Sequence, residues 1–159
     1  MIKVLFVCLG NICRSPMAEA IFRDMVKKEG LTNDIQVDSA GTGDWHIGHP
    51  PHKGTQTILT KYKVSFEGIK ARQVIREDLE HFDYIIAMDS DNLENLKRMT
   101  GTAKTGQIKR LLDFVEDSQV TDVPDPYYTG NFDETYELVS DGCKRLLDVI
   151  KKENFVGKE

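Results

Sequence analysis

The sequence lacks any long apolar run. Its longest uninterrupted stretch, Val4 to Leu9, is six residues, against the ~20 that span a bilayer, so neither a membrane helix nor a signal peptide is expected. Proline is scarce at 5 of 159 residues, and no Pro/Gly/Ser-rich linker, repeat or low-complexity block divides the chain. One domain over residues 1–159 is therefore expected. Basic residues are the minority, 21 against 26 acidic with a net charge of −5, which removes the broad positive field of nucleic-acid binders. Any anion must be caught locally. Three cysteines are an odd count, too few for a disulfide framework and consistent with reduced thiols in the cytoplasm. His46, His49 and His52 lie in a Gly/Pro-containing loop without paired Cys or carboxylate ligands, so no metal site is expected.

What is present is an alternation of strand and helix patterns. Lys3 to Val7 is a β-branched and aromatic run suited to burial on both faces of a parallel sheet. Gly10-Asn11 ends it. A helix is predicted next, with Ser15 as cap, Pro16 at the first helical position, Ala18, Ile21, Phe22 and Met25 at helical spacing, and Gly30 as its stop. Further strands are predicted over 35–40, over 82–88 and near Ile108, with helices over 54–62, before and after the third strand, and along Tyr136, Val139, Cys143, Leu146, Leu147 and Ile150. Cys143 then belongs to the core. The implied architecture is a three-layer α/β fold, an open four-stranded parallel sheet with helices on both faces, whose ligand site lies at the carboxyl ends of strands.

Cys8-Leu9-Gly10-Asn11-Ile12-Cys13-Arg14-Ser15 puts a thiol at the end of a buried strand, a guanidinium six residues on and a helix start immediately after. Successive backbone N–H groups curling into a helix N-terminus form an anion-binding nest, and Arg14 can grip two phosphoryl oxygens at once. The same surroundings favour a Cys8 thiolate. A thiolate beside a bound phosphoryl group is a nucleophile in position.

Residues 7–19, Val-Cys-Leu-Gly-Asn-Ile-Cys-Arg-Ser-Pro-Met-Ala-Glu, resemble the signature of the low-molecular-weight protein tyrosine phosphatases. Val123-Pro124-Asp125-Pro126-Tyr127-Tyr128 is similar to that family's acid loop, and Asp38-Ser39-Ala40, Ala71-Arg72-Gln73 and Phe82 to Asp89 match its segments in order. Residues 45–54 further resemble the form found in Gram-positive bacteria. The resemblance implies a phosphate-binding loop after the first strand, with Cys8 as nucleophile forming a phosphocysteine. The N–H groups of Leu9, Gly10, Asn11, Ile12, Cys13 and Arg14 and the Arg14 side chain would hold the transferring group. Ser15 would hydrogen-bond the Cys8 sulfur, and Asp125 would act as general acid and then activate water. Asn11 is expected in the left-handed conformation, with Ser39 available to it. Trp45, Tyr127 and Tyr128 would wall a slot for a phosphorylated aromatic ring, and Cys13 would form a reversible disulfide that shields Cys8. No cofactor is implied, and the partners are phosphotyrosine-containing proteins met by a monomer or weak dimer. One departure stands out: many members carry a His shortly before Ala-Arg-Gln, and this chain has Ile69 there.

Three other readings compete. Thioredoxin-coupled arsenate reductases share the scaffold but need two further cysteines near the third strand, and none lies between Cys13 and Cys143. Protein arginine phosphatases typically carry Thr where Ile12 stands and lack the paired tyrosines. A non-catalytic phosphotyrosine-binding module would need neither an activated thiol nor Asp125.

Overall fold

In the computed structural model, which describes residues 1–100 and 105–155, strand β1 (Ile2–Cys8) runs through the middle of the molecule. Because side chains alternate across a strand, Val4, Phe6 and Cys8 face one layer while Leu5 and Val7 face the other, and all five are buried. That two-sided burial is why the run reads as continuously apolar.

The other strands are β2 (Ile35–Gly41), β3 (Tyr84–Ala87) and β4 (Gln107–Arg110), and the sheet order is β2-β1-β3-β4 with every pairing parallel. Both faces of the sheet are covered by helices. Helices α1 (Arg14–Lys28), α2 (Lys53–Lys61) and α6 (Phe132–Phe155) lie with the Val4–Phe6–Cys8 side, where Phe22 meets Phe6 edge-on at 5.5 Å between ring centroids. Helices α3 (Arg76–His81) and α4 (Ser90–Thr100) cover the opposite face through Leu79 and Leu96. A short α5 (Pro126–Thr129) precedes α6. The predicted three-layer parallel α/β architecture is thus observed. From β1 the chain goes to β2 on one side and then crosses to β3 on the other, so the strand order switches at the carboxyl end of β1. That is where Cys8 sits.

Gly30, at φ 71°, ends α1 as expected, its N–H reaching the Lys27 carbonyl. The apolar face of α6 buries Val139, Cys143, Leu146, Leu147 and Ile150. Burial pushes the Cys143 thiol up, and its sulfur contacts the Ala18 carbonyl at 3.8 Å, as befits a core residue. Two expectations change. The third strand is shorter than 82–88, because Phe82 closes α3 and the Asp83 carboxylate accepts from the Lys3 N–H at 2.8 Å. Ser15 does not cap α1: Cys13 holds that position without a side-chain cap, and the Ser15 hydroxyl turns to the Cys8 sulfur instead. No helix among the described residues is long and apolar enough to cross a membrane.

Candidate active site

The loop from Cys8 to Ser15 is held from outside by its carbonyl groups. Those of Cys8 and Leu9 accept from the N–H groups of Thr42 and Gly43, both at 2.9 Å. Those of Ile12 and Cys13 accept from the His52 N–H at 2.6 Å and the Thr55 hydroxyl at 3.3 Å. In a trans peptide the C=O of one residue and the N–H of the next point in opposite directions. Carbonyls bound outward therefore turn the N–H groups of Leu9, Gly10, Cys13 and Arg14 toward the inside of the loop, next to the N-terminus of α1. These four N–H groups form an anion-binding nest, whereas that of Asn11, expected among them, donates to Cys8 Sγ at 3.3 Å. Gly41 permits the tight fit, since a Cβ there would lie 2.8 Å from the Leu9 carbonyl oxygen and 3.1 Å from the Asn11 Cβ.

Asn11 adopts the expected left-handed backbone, φ 56°, and its side chain ties the loop together. Its Oδ1 accepts from the Arg72 backbone N–H at 2.9 Å, which fixes the amide's orientation. Its Nδ2 then donates to Ser15 Oγ at 2.7 Å and to Ser39 Oγ at 3.0 Å. Ser15 Oγ lies 2.9 Å from Cys8 Sγ, and the Asn11 N–H donates to the same sulfur at 3.3 Å.

Arg14 is buried, with one edge of its guanidinium anchored: Nη1 donates to Asp89 Oδ2 at 2.6 Å and to the Val123 carbonyl at 3.0 Å. The other edge is lightly engaged. Nη2 reaches Asp125 Oδ2 at 3.4 Å, and Nε is buried with no hydrogen-bond partner among the described residues. Burial works against the Arg14 charge, but Cys8, Asp89 and Asp125 outweigh it and hold the guanidinium protonated. A buried charged donor without an acceptor is costly, and the Nε–Nη2 fork is the edge that matches an oxyanion.

Asp125 caps α5, its Oδ1 accepting from the Tyr127 N–H at 3.1 Å, with Pro126 next in line. Cys8, Leu9, Gly10, Ile12, Cys13 and Asp125 all border one cavity of about 310 Å³. Trp45, Tyr127 and Tyr128 border it too, but at 66%, 53% and 74% exposure they form an open rim rather than the walls of a deep slot. Burial, with Asp125 and Cys8 adding to it, pushes the Cys13 thiol up to about 12, so Cys13 stays protonated beside Cys8.

Sequence reasoning missed three residues here. His46 borders the cavity with its ring 6.4 Å from that of Tyr127. Asp89 anchors Arg14, and its signal was its place two residues beyond β3, next to the carboxyl end of β1 where Cys8 sits. Glu19, on the inner side of α1, is 8% exposed and accepts from Ser39 Oγ at 2.6 Å. Burial pushes its carboxyl up to about 7, with Asp38 adding to the rise while the Ser39 hydrogen bond, Arg23 and Arg72 oppose it. Ile69 is buried in the core and brings no polar atom to the network.

Residues 3–156 match the family described as low molecular weight phosphotyrosine protein phosphatase. The chain is 63% identical to the low molecular weight protein-tyrosine-phosphatase YfkJ of Bacillus subtilis over 153 residues, 96% of this chain and 98% of that one. The crystal structure of YfkJ superposes with a TM-score of 0.95 at 62% identity, covering 97% of each chain. PtpA of Staphylococcus epidermidis is 49% identical over 96% of both chains. A Drosophila arginine phosphatase superposes with a TM-score of 0.88 at 36% identity, covering 94% of this chain and 98% of its own. With the phosphate-type nest, the Cys8–Arg14 pair and this likeness along nearly its whole length, the chain belongs to the low molecular weight phosphotyrosine protein phosphatase family.

Proposed function

We propose that the protein is a cysteine-dependent protein tyrosine phosphatase in which Cys8 is the nucleophile, Arg14 the oxyanion clamp and Asp125 the general acid. One observation carries the reading. A strand-end thiol and a carboxylate open on the same cavity, and that carboxylate lies 3.4 Å from the guanidinium of Arg14, whose buried Nε has no partner among the described residues. Cys8 attacks phosphorus while the tyrosine oxygen leaves with a proton from Asp125. The loop N–H groups of Leu9, Gly10, Cys13 and Arg14 and the Nε–Nη2 fork hold the equatorial oxygens on which charge accumulates. Asp125 then takes a proton from water, which attacks the phosphocysteine and releases phosphate. The Ser15 hydroxyl stabilises the departing sulfur. The reaction as written uses no cofactor, because the guanidinium and the nest supply the positive charge.

The substrates are phosphotyrosine-containing proteins, and Trp45, His46, Tyr127 and Tyr128 receive the aromatic ring at the rim of the cavity. Cys13, which borders the same cavity as Cys8, is a resolving group. When peroxide converts Cys8 to a sulfenic acid, the Cys13 sulfur attacks it, the S–O bond breaks and water leaves with the Cys13 proton. The reading places the enzyme in the cytoplasm, where Cys8, Cys13 and Cys143 stay free.

The test is hydrolysis of para-nitrophenyl phosphate, a phosphotyrosine peptide and a phosphoarginine peptide by wild type and Cys8→Ser, with and without vanadate. Vanadate-sensitive turnover, abolished in Cys8→Ser and favouring phosphotyrosine, is expected. Preference for phosphoarginine would move the enzyme to the arginine-directed branch, and turnover surviving in Cys8→Ser would overturn the mechanism.

A further inference from the structure

The side chains behind the nucleophile form a directed chain of hydrogen bonds. The Arg72 N–H fixes Asn11 Oδ1, so both Nδ2 hydrogens must go to hydroxyl oxygens, Ser15 Oγ at 2.7 Å and Ser39 Oγ at 3.0 Å. Each of those hydroxyls, having accepted from Asn11, must place its own proton elsewhere. Ser15 has the Cys8 sulfur at 2.9 Å and, more remotely, the Ala40 carbonyl at 3.5 Å. Ser39 is 1% exposed and has Glu19 Oε1 at 2.6 Å. Without that acceptor its buried O–H would be left unpaired, and the side chain would turn to recover a partner. Asn11 would then lose one of its two anchors.

We propose that Glu19 is a positioning residue for the nucleophile: as the terminal acceptor of the chain Cys8–Ser15–Asn11–Ser39, it holds Ser39 as an acceptor for Asn11 and so keeps the Ser15 hydroxyl aimed at the Cys8 sulfur. This rests on Cys8 being the nucleophile. The groups that face Glu19 are Ser39 and Asp38 on β2, Arg23 on its own helix and Arg72 before α3. Arg72 is itself engaged by Asp38 and Asp78 at 3.1 and 2.9 Å, and Arg23 by the carbonyls of Ser65 and Glu67. Neither cation substitutes for a carboxyl as an acceptor for Ser39. Any acceptor of the same shape serves, so glutamine should replace glutamate and leucine should not.

The experiment compares Glu19→Leu, Glu19→Gln and wild type in the full chain. It follows the pH dependence of Cys8 alkylation by iodoacetamide, kcat for para-nitrophenyl phosphate and the inhibition constant of inorganic phosphate. Glu19→Leu is expected to raise the midpoint of alkylation by about one pH unit and to lower kcat about tenfold. Phosphate inhibition should stay within about threefold, and Glu19→Gln should restore both other readouts to within about threefold. An unmoved midpoint in a folded Glu19→Leu protein, or a Gln variant as impaired as the Leu variant, would overturn the proposal. If Glu19→Leu does not fold, Ser39→Ala carries the test. It must reproduce the shift, and an unmoved alkylation midpoint in a folded Ser39→Ala protein overturns the idea. Loss of Cys8-dependent turnover in wild type would defeat the phosphatase reading itself, a result distinct from any of these.

Discussion

The buried Glu19 carboxyl makes stability depend on pH in a way one substitution isolates. In the unfolded chain it deprotonates near its ordinary value of 4.5, and in the folded protein burial holds the proton to about 7. Between those values the native state binds more protons than the unfolded state, so this group's contribution is fully present below pH 4.5 and is lost as pH rises through 7. At about 1.4 kcal/mol per pH unit the loss is about 3 kcal/mol. Glu19→Gln carries no titrating proton, so its stability lacks this slope. Denaturation of wild type and Glu19→Gln at several pH values from 4.5 to 8 is the assay. The Gln variant is expected to gain about 3 kcal/mol on wild type across that range, or about 6–12 °C in relative Tm for a domain of this size. Parallel profiles, with a difference constant to about 1 kcal/mol, would show that Glu19 ionises alike in both states and refute the reasoning.

Three further outcomes follow from the site. Asp125→Asn should slow phenyl phosphate hydrolysis by about 10²–10⁴-fold and para-nitrophenyl phosphate much less, because nitrophenolate leaves without a proton; equal losses on both would remove Asp125 from the acid role. Gly41→Ala drives a Cβ to 2.8 Å from the Leu9 carbonyl, so it should cost about 1–3 kcal/mol in urea denaturation and reduce kcat, and wild-type values for both would contradict the tight fit. Cys13→Ser should turn over normally but fail to recover with dithiothreitol after peroxide treatment, whereas wild type recovers; full recovery of the variant would remove Cys13 as the resolving thiol.

The nucleophile loop was legible because it is contiguous. Cys8, Asn11, Arg14 and Ser15 fall within eight residues, and a strand end, a left-handed Asn and a helix start set their mutual geometry locally. The same locality misled for Ser15, whose Ser-Pro context suggests a cap, while a sulfur 2.9 Å away takes its hydroxyl. Asp125 came only through resemblance, since nothing near it in sequence marks an Asp-Pro turn as catalytic; it meets Arg14 across 111 residues. His46 looked like part of an ordinary loop, and Asp89 like the end of a strand.

Periodicity and composition determined the layered parallel fold, because a strand buried on both faces and an amphipathic helix each have a residue pattern of their own. The contiguous run from Cys8 to Ser15 placed a thiol and a guanidinium at a helix N-terminus. Only the tertiary structure decided what surrounds that pair: Asp89 and the Val123 carbonyl on one edge of Arg14, Asp125 near the other, and Glu19 behind Ser39. These contacts join elements that are distant in sequence. They exist because strand order brings the ends of β1, β2 and β3 together, and no local pattern of residues encodes that proximity.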